Sequence, residues 1–115
     1  GAVDIYAQRI DADGSIHSGW AVNGEPVSMA AEVQNFPRII SDGAGGAIII
    51  WQDSRVMGND DIYGQRIDGD GSVHPGWAQD GQPVCTGVPS YGHGLVSESK
   101  TDPSTPIALG GNPYN

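Results

Sequence analysis

The chain has 115 residues, 14 of them Asp or Glu and only 5 Lys or Arg, for a net charge of −9. So acidic a molecule argues against nucleic acid and against an anionic membrane face as partners, since both demand basic groups for phosphate contact. No apolar run approaches the ~18 residues of a membrane span, so membrane insertion is not expected. No basic segment leads into an apolar one as a secretion signal would, and the single cysteine, Cys85, leaves no disulfide to form within one chain.

Glycine (18) and proline (8) are frequent enough that an aperiodic chain of this kind would read as disordered. Here they recur in step. Residues 4–27 read DIYAQRIDADGSIHSGWAVNGEPV and residues 61–84 read DIYGQRIDGDGSVHPGWAQDGQPV, identical at 17 of 24 positions with a fixed offset of 57. A period of that length, filled with short strand-like runs, points to one sheet unit used twice, as in a propeller blade.

Taken in order, residues 4–11 alternate Ile5, Ala7 and Arg9 with Tyr6, Gln8 and Ile10, which predicts a strand. Ala12-Asp13-Gly14 makes a tight reversal, with Gly14 supplying the positive φ. Residues 15–20 are the returning strand, ending at Trp20, whose ring is expected to cover the end of the sheet. Residues 21–35 read as a long connector with one short extended piece at 27–29. FPRIIS (36–41) is the next strand, and Pro37 confines its start to a place where no ladder N–H is needed. After the turn at 42–46 comes AIIIWQD (47–53), whose unbroken apolar run predicts a strand covered on both faces. A loop at 54–60 leads back to DIYGQRID and then SVHPGW.

Residues 36–77 therefore read as four strands joined by hairpins, one complete blade, within a single repeat domain spanning 1–115. Residues 4–20 form a half blade and 78–93 a connector. Residues 94–115 form a degenerate half blade or cap, with 95–98 aligning on 39–42 and 105–109 on 46–50. The expected fold class is all-β, with four-stranded antiparallel propeller-type blades and about two blades' worth of strands. A propeller ring needs about 4–8 blades. Two would leave apolar faces and strand edges bare, so a homo-oligomer completed by strand complementation between chains is expected. Three chains would give six blades; a strand-exchanged dimer is the rival.

The candidate sites are mostly structural. Asp11/Asp13 and Asp68/Asp70 have the D-x-D-G form that begins some calcium loops, but the distal Glu is missing and hairpin turns favour Asp and Gly for backbone reasons. A calcium site is the alternative there, and no other cofactor is expected. Asn59-Asp60-Asp61 is a third acidic cluster of the same kind. Asp53, Arg55 and Arg66 read as a structural ion pair, Asp53 with one arginine or the other, because an arginine between layers needs a carboxylate or carbonyl partner. His17, His74 and His93 lack the close companions of a zinc site. Cys85 stands where the first repeat has Ser28, as a small part-buried strand residue rather than a nucleophile. Trp20 and Trp77 are packing residues or, alternatively, a platform for stacking a sugar. Residues that break the repeat (Tyr91, His93, Glu98, Lys100) cluster in the tail and form no recognisable catalytic motif.

Trp51-Gln52-Asp53-Ser54-Arg55 followed by Asp61-Ile62-Tyr63-Gly64-Gln65-Arg66 resembles the repeat of secreted bacterial proteins built on W-x-D-x-R…D-I-Y-x-Q-R blades. More distantly it is similar to Tol-Pal-type propeller repeats. The resemblance covers residues 1–84 and implies an extracytoplasmic β-propeller, often the repeat region of a larger surface protein, with no catalytic residues. The function expected is a self-associating, non-enzymatic binding or structural module, extracellular or at a bacterial cell surface, with a glycan or a protein as ligand. A lectin-like carbohydrate-binding module is the alternative, and a glycoside hydrolase-like propeller fragment comes third.

Overall fold

The computed structural model describes residues 2–56, 59–86, 93–95 and 109–111. The described chain is all-β. Its strands are β1 (Ile5–Ala7), β2 (Glu25–Ser28), β3 (Gln34–Ser41), β4 (Ala47–Asp53), β5 (Asp61–Ile67), β6 (Gln82–Cys85), β7 (His93–Leu95) and β8 (Leu109–Gly111). They form a β1-β2 pair, a four-stranded sheet in the order β3-β4-β5-β6, and a β7-β8 pair, all antiparallel.

The run AIIIWQD is β4 from end to end, and DIYGQRI is β5. Pro37 does sit where the ladder can spare a donor. Asn35 pairs with Gln52 and Arg38 with Ile50, so Phe36 and Pro37 together oppose one residue in a bulge, with Phe36 at φ 56°.

The fourth strand is not the one the sequence suggests. Residues 72–77 make only one bridge, Val73 to Ile67, and β6 takes the place beside β5 instead. The reason lies in Pro75 and Gly76: proline has no N–H to continue the ladder, and Gly76, at φ 90°, turns the chain away. A second turn, closed by Gly81 N–H donating to the Ala78 carbonyl (3.1 Å), brings the chain back as β6. The first repeat does the same. Ile10 bridges Ile16 once, and β2, inside the stretch read as a connector, pairs with β1. β2 and β6 are equivalent, 57 residues apart.

Ile49, Trp51, Tyr63 and Ile67 share one face of the large sheet, because the β4–β5 register pairs Trp51 with Tyr63 and Ala47 with Ile67. That face packs on the first repeat through Ile5, Trp20 and Val27 to form the core. The opposite face is only partly covered: Ile48 and Ile50 are half-buried and Ile40 is exposed. The burial of β4 thus alternates, where the sequence predicts cover on both sides. Gly81 fixes how closely the loop before β6 approaches. It lies at φ 91°, and a Cβ there would meet the Trp51 ring at 2.5 Å.

Candidate functional site

Trp51 and Asp53 are two residues apart on β4, so both side chains point into the interface between repeats. The Trp51 indole Nε1–H donates to Asp53 Oδ2 at 2.8 Å. Arg55, just past the strand, folds back and forks the same carboxylate: Nε to Oδ1 at 2.8 Å and Nη2 to Oδ2 at 2.7 Å. The Arg55 backbone N–H adds a third bond to Oδ1 at 2.9 Å. Such two-point, charge-assisted pairs are the strong and geometrically specific kind.

The guanidinium also reaches across the interface. Nη2 donates to the Asp80 carbonyl at 2.6 Å and approaches Ser28 Oγ at 3.4 Å, while the Arg55 plane lies 3.8 Å from the centroid of the Tyr63 ring. Asp80 Oδ1 in turn accepts from the Met29 N–H at 2.9 Å. Burial pushes the Asp53 carboxyl up, but the bonds from Arg55 and Trp51 outweigh it and hold Asp53 below the ordinary carboxylate range. Burial likewise disfavours the Arg55 charge, and Asp53 more than restores it. Asp53 is 0 % exposed, so this carboxylate has no route to a substrate.

Arg66 does not share Asp53. It pairs with Asp42, Nη2 to Oδ2 at 3.3 Å and Nε to Oδ2 at 3.4 Å. The register explains the correction, because Arg66 lies opposite Ile48 whereas Asp53 lies opposite Asp61, about 17 Å away along the strand. Asp42 Oδ1 accepts the N–H groups of Ala44 (2.7 Å) and Gly46 (2.9 Å), which shapes the β3–β4 turn. Burial raises the Asp42 carboxyl, and these bonds with Arg66 bring it below its usual value.

A second tie joins the repeats at the opposite end. The Gly69 carbonyl accepts both Arg9 Nη1 (2.8 Å) and Trp20 Nε1 (2.9 Å). Trp20 is buried in the core at this point, which leaves little of its ring for stacking a sugar. Trp77, its counterpart, is half-buried.

The acidic turns are occupied by their own backbone. Asp13 Oδ1 accepts from the Ser15 N–H (2.9 Å) and hydroxyl (2.6 Å), and Asp70 does the same with Ser72 at 3.0 and 2.6 Å. The Ser15 and Ser72 hydrogen bonds lower the pKa values of Asp13 and Asp70. Asp11 faces His17 Nδ1 at 2.7 Å and Asp68 faces His74 Nδ1 at 2.6 Å. Among the described residues no three His, Cys, Asp or Glu side chains gather as a metal site. In the third acidic cluster, Asp60 accepts from the Ser54 hydroxyl at 2.9 Å and Asp61 is buried in β5. Cys85 is a free, half-buried thiol on β6. Tyr91, Glu98 and Lys100 lie outside the described residues.

Several working residues escape a reading by chemistry. Gln8 and Gln65 each donate through Nε2 to a carbonyl 13 positions on, Ala21 and Ala78, at 2.6 Å in both repeats. Each also accepts the N–H of the next arginine, at 3.1 and 3.0 Å. Their identity in both copies is the signal that marks them. Asp80 stands where the first repeat has Asn23, and Asp42 opens a turn; neither has a motif.

Comparison with protein-family models, with curated proteins and with solved structures finds no match.

Proposed function

We propose that this chain is a non-enzymatic structural and binding module of β-propeller type, each 57-residue period contributing one sheet layer, exposed outside the cell or on its surface. One observation carries the reading: the polar side chains of the turns and glutamine clamps are engaged with the chain's own backbone and with one another, and they recur alike in both copies. The turn bonds Asp11 N to Ser15 O, Gly14 N to Asp11 O and His17 N to Arg9 O recur 57 residues later within 0.1 Å. So do the glutamine clamps and the Asp–Ser and Asp–His contacts. Scaffold residues repeat in this way because each layer solves the same packing problem; a catalytic pair is needed once.

The test is a hydrolase screen against a panel of aryl glycosides and esters, in which no turnover above buffer is expected. Turnover that survives repurification and is lost on a single carboxylate substitution would overturn the reading. A glycan-binding role is the second reading, and Trp77 supports it by being the less buried of the repeated tryptophans. Glycan-array binding that vanishes in Trp77→Ala, with the far-UV circular dichroism unchanged, would establish it.

A further inference from the structure

We propose that the edge of β1 facing away from β2 is an acceptor for a β-hairpin, and that its occupant is the β7–β8 hairpin of a second copy of this chain. The inference rests on the layered-repeat reading above and deepens it by naming the partner and the register.

β1 and β5 carry the same sequence but have different neighbours. β5 lies between β4 and β6, whereas among the described residues β1 pairs only with β2, apart from one parallel bridge from Val3 to Val33 just before it. Exposure follows. Tyr63 is 8 % exposed and Tyr6 52 %; Ile67 is 1 % exposed and Ile10 57 %. The residues already have the identities that the buried copies use, so what differs is the missing inner hairpin. An unpaired edge flanked by exposed apolar side chains is a ready template for strand addition.

The chain also carries a donor. In the second repeat the inner hairpin is β3–β4, and residues 95–98 align on its first arm. β7 and β8 pair antiparallel, with Leu95 opposite Leu109 as Ile39 lies opposite Ile49 in β3–β4. Among the described residues of one chain, β7 and β8 are a separate two-stranded sheet and are not paired with β1. A second copy can bring it there.

The β7–β8 pairing sets the register. With Leu95 in the place of Ile39, Leu109 takes that of Ile49, which faces Gln65, so Leu109 of one copy lies opposite Gln8 of the other, Gly110 opposite Ala7 and Gly111 opposite Tyr6. A tyrosine ring over a cross-strand glycine restores contact that the glycine cannot make itself. The completed sheet then provides a layer for the face bearing Ile40, Ile48 and Ile50, which the single chain leaves partly open. Donor and acceptor are different surfaces, so the contact is head-to-tail and closes as a ring or continues as a filament.

The experiment uses the full chain. Light scattering from 1 to 100 µM, a range chosen around ordinary micromolar association, is expected to give the mass of two or more chains. In a Cys85→Ser background, Ala7→Cys with Gly110→Cys should form a disulfide, since opposed antiparallel residues lie about 4.5–5.5 Å apart at Cα, within disulfide reach. The expected product is a between-chain band that reduction removes. Tyr6→Glu, at a site exposed in the single chain, should weaken association tenfold or more. A one-chain mass throughout overturns the proposal, as does a disulfide closed within one chain. A multi-chain mass with no cross-link overturns β1 as the site. Amide hydrogen exchange separates this failure from that of the parent reading: slow β4 and β5 amides in a lone chain leave the layered scaffold standing, and rapid exchange there removes both.

Discussion

Residues 4–28 and 61–85 are near copies that live in different surroundings. Their turns, glutamine clamps and aspartate contacts superpose bond for bond, yet burial differs strand by strand: β5 is buried where β1 is half open, while Trp20 and Val27 are buried where Trp77 and Val84 are not. Local hydrogen bonding is therefore written into the repeat, whereas burial is supplied by whichever strand lies alongside. Tyr63 and Tyr6 separate the two contributions: the same residue on the same strand, with and without β4 beside it.

The largest expected effects fall on the copy that has its neighbour. Tyr63→Ala should cost about 3–5 kcal/mol of unfolding free energy, and Tyr6→Ala below the association threshold about 0.5 kcal/mol. Equal losses in chemical denaturation would break the comparison. Asp53→Ala strands Arg55 beside the buried Trp51 and should also cost about 3–5 kcal/mol, while Glu25→Ala, removing one exposed bond to the Ala21 N–H, should cost under about 1 kcal/mol. Matching melting temperatures for those two variants would contradict the role given to the Asp53–Arg55 pair.

Gly81→Ala meets the Trp51 ring and a positive φ together, and should cost about 2–4 kcal/mol. Gly24→Ala has a similar φ but meets the Ala7 carbonyl at 3.2 Å rather than a ring, and should cost about 1–2 kcal/mol. Smaller still is the response to acid. Asp53 and Asp42 hold folded pKa values below their unfolded ones, so the unfolded chain takes up protons first as the pH falls. Their stabilisation is complete above the unfolded carboxylate range and is lost as pH drops through the folded values. The melting temperature should therefore fall below about pH 4, and Asp53→Asn should flatten that fall. Least of all, Asp13→Ala and Asp70→Ala should each lower the melting temperature slightly, Asp70→Ala the more, because the Gly69 carbonyl in its turn also holds Arg9 and Trp20.

The sequence made the repeat, β4 and β5 legible because their apolar runs are long and bounded by turn residues. It misplaced the outer strands for a physical reason. SIHSGW and SVHPGW alternate like strands, but glycine and proline stop them after one bridge. The real outer strands, EPVS and QPVC, pair on one side only and need little β-propensity. The W-x-D-x-R pair could be anticipated because a charge near a buried strand end needs a partner. Its further partner, the Asp80 carbonyl, could not, nor could the Gly69 carbonyl that holds Arg9: both are backbone groups, and any residue would supply them.

The Gly69 carbonyl has a consequence for how such layers stay aligned. It is a single acceptor held by two donors from the other layer, so sliding one sheet past the other by a residue would strand an arginine and an indole at the same moment. The β3–β4 turn shares in that anchor, because Gly45 lies beside both the Arg9 guanidinium and Gly69. A change of length there would loosen the very point that keeps the layers in phase.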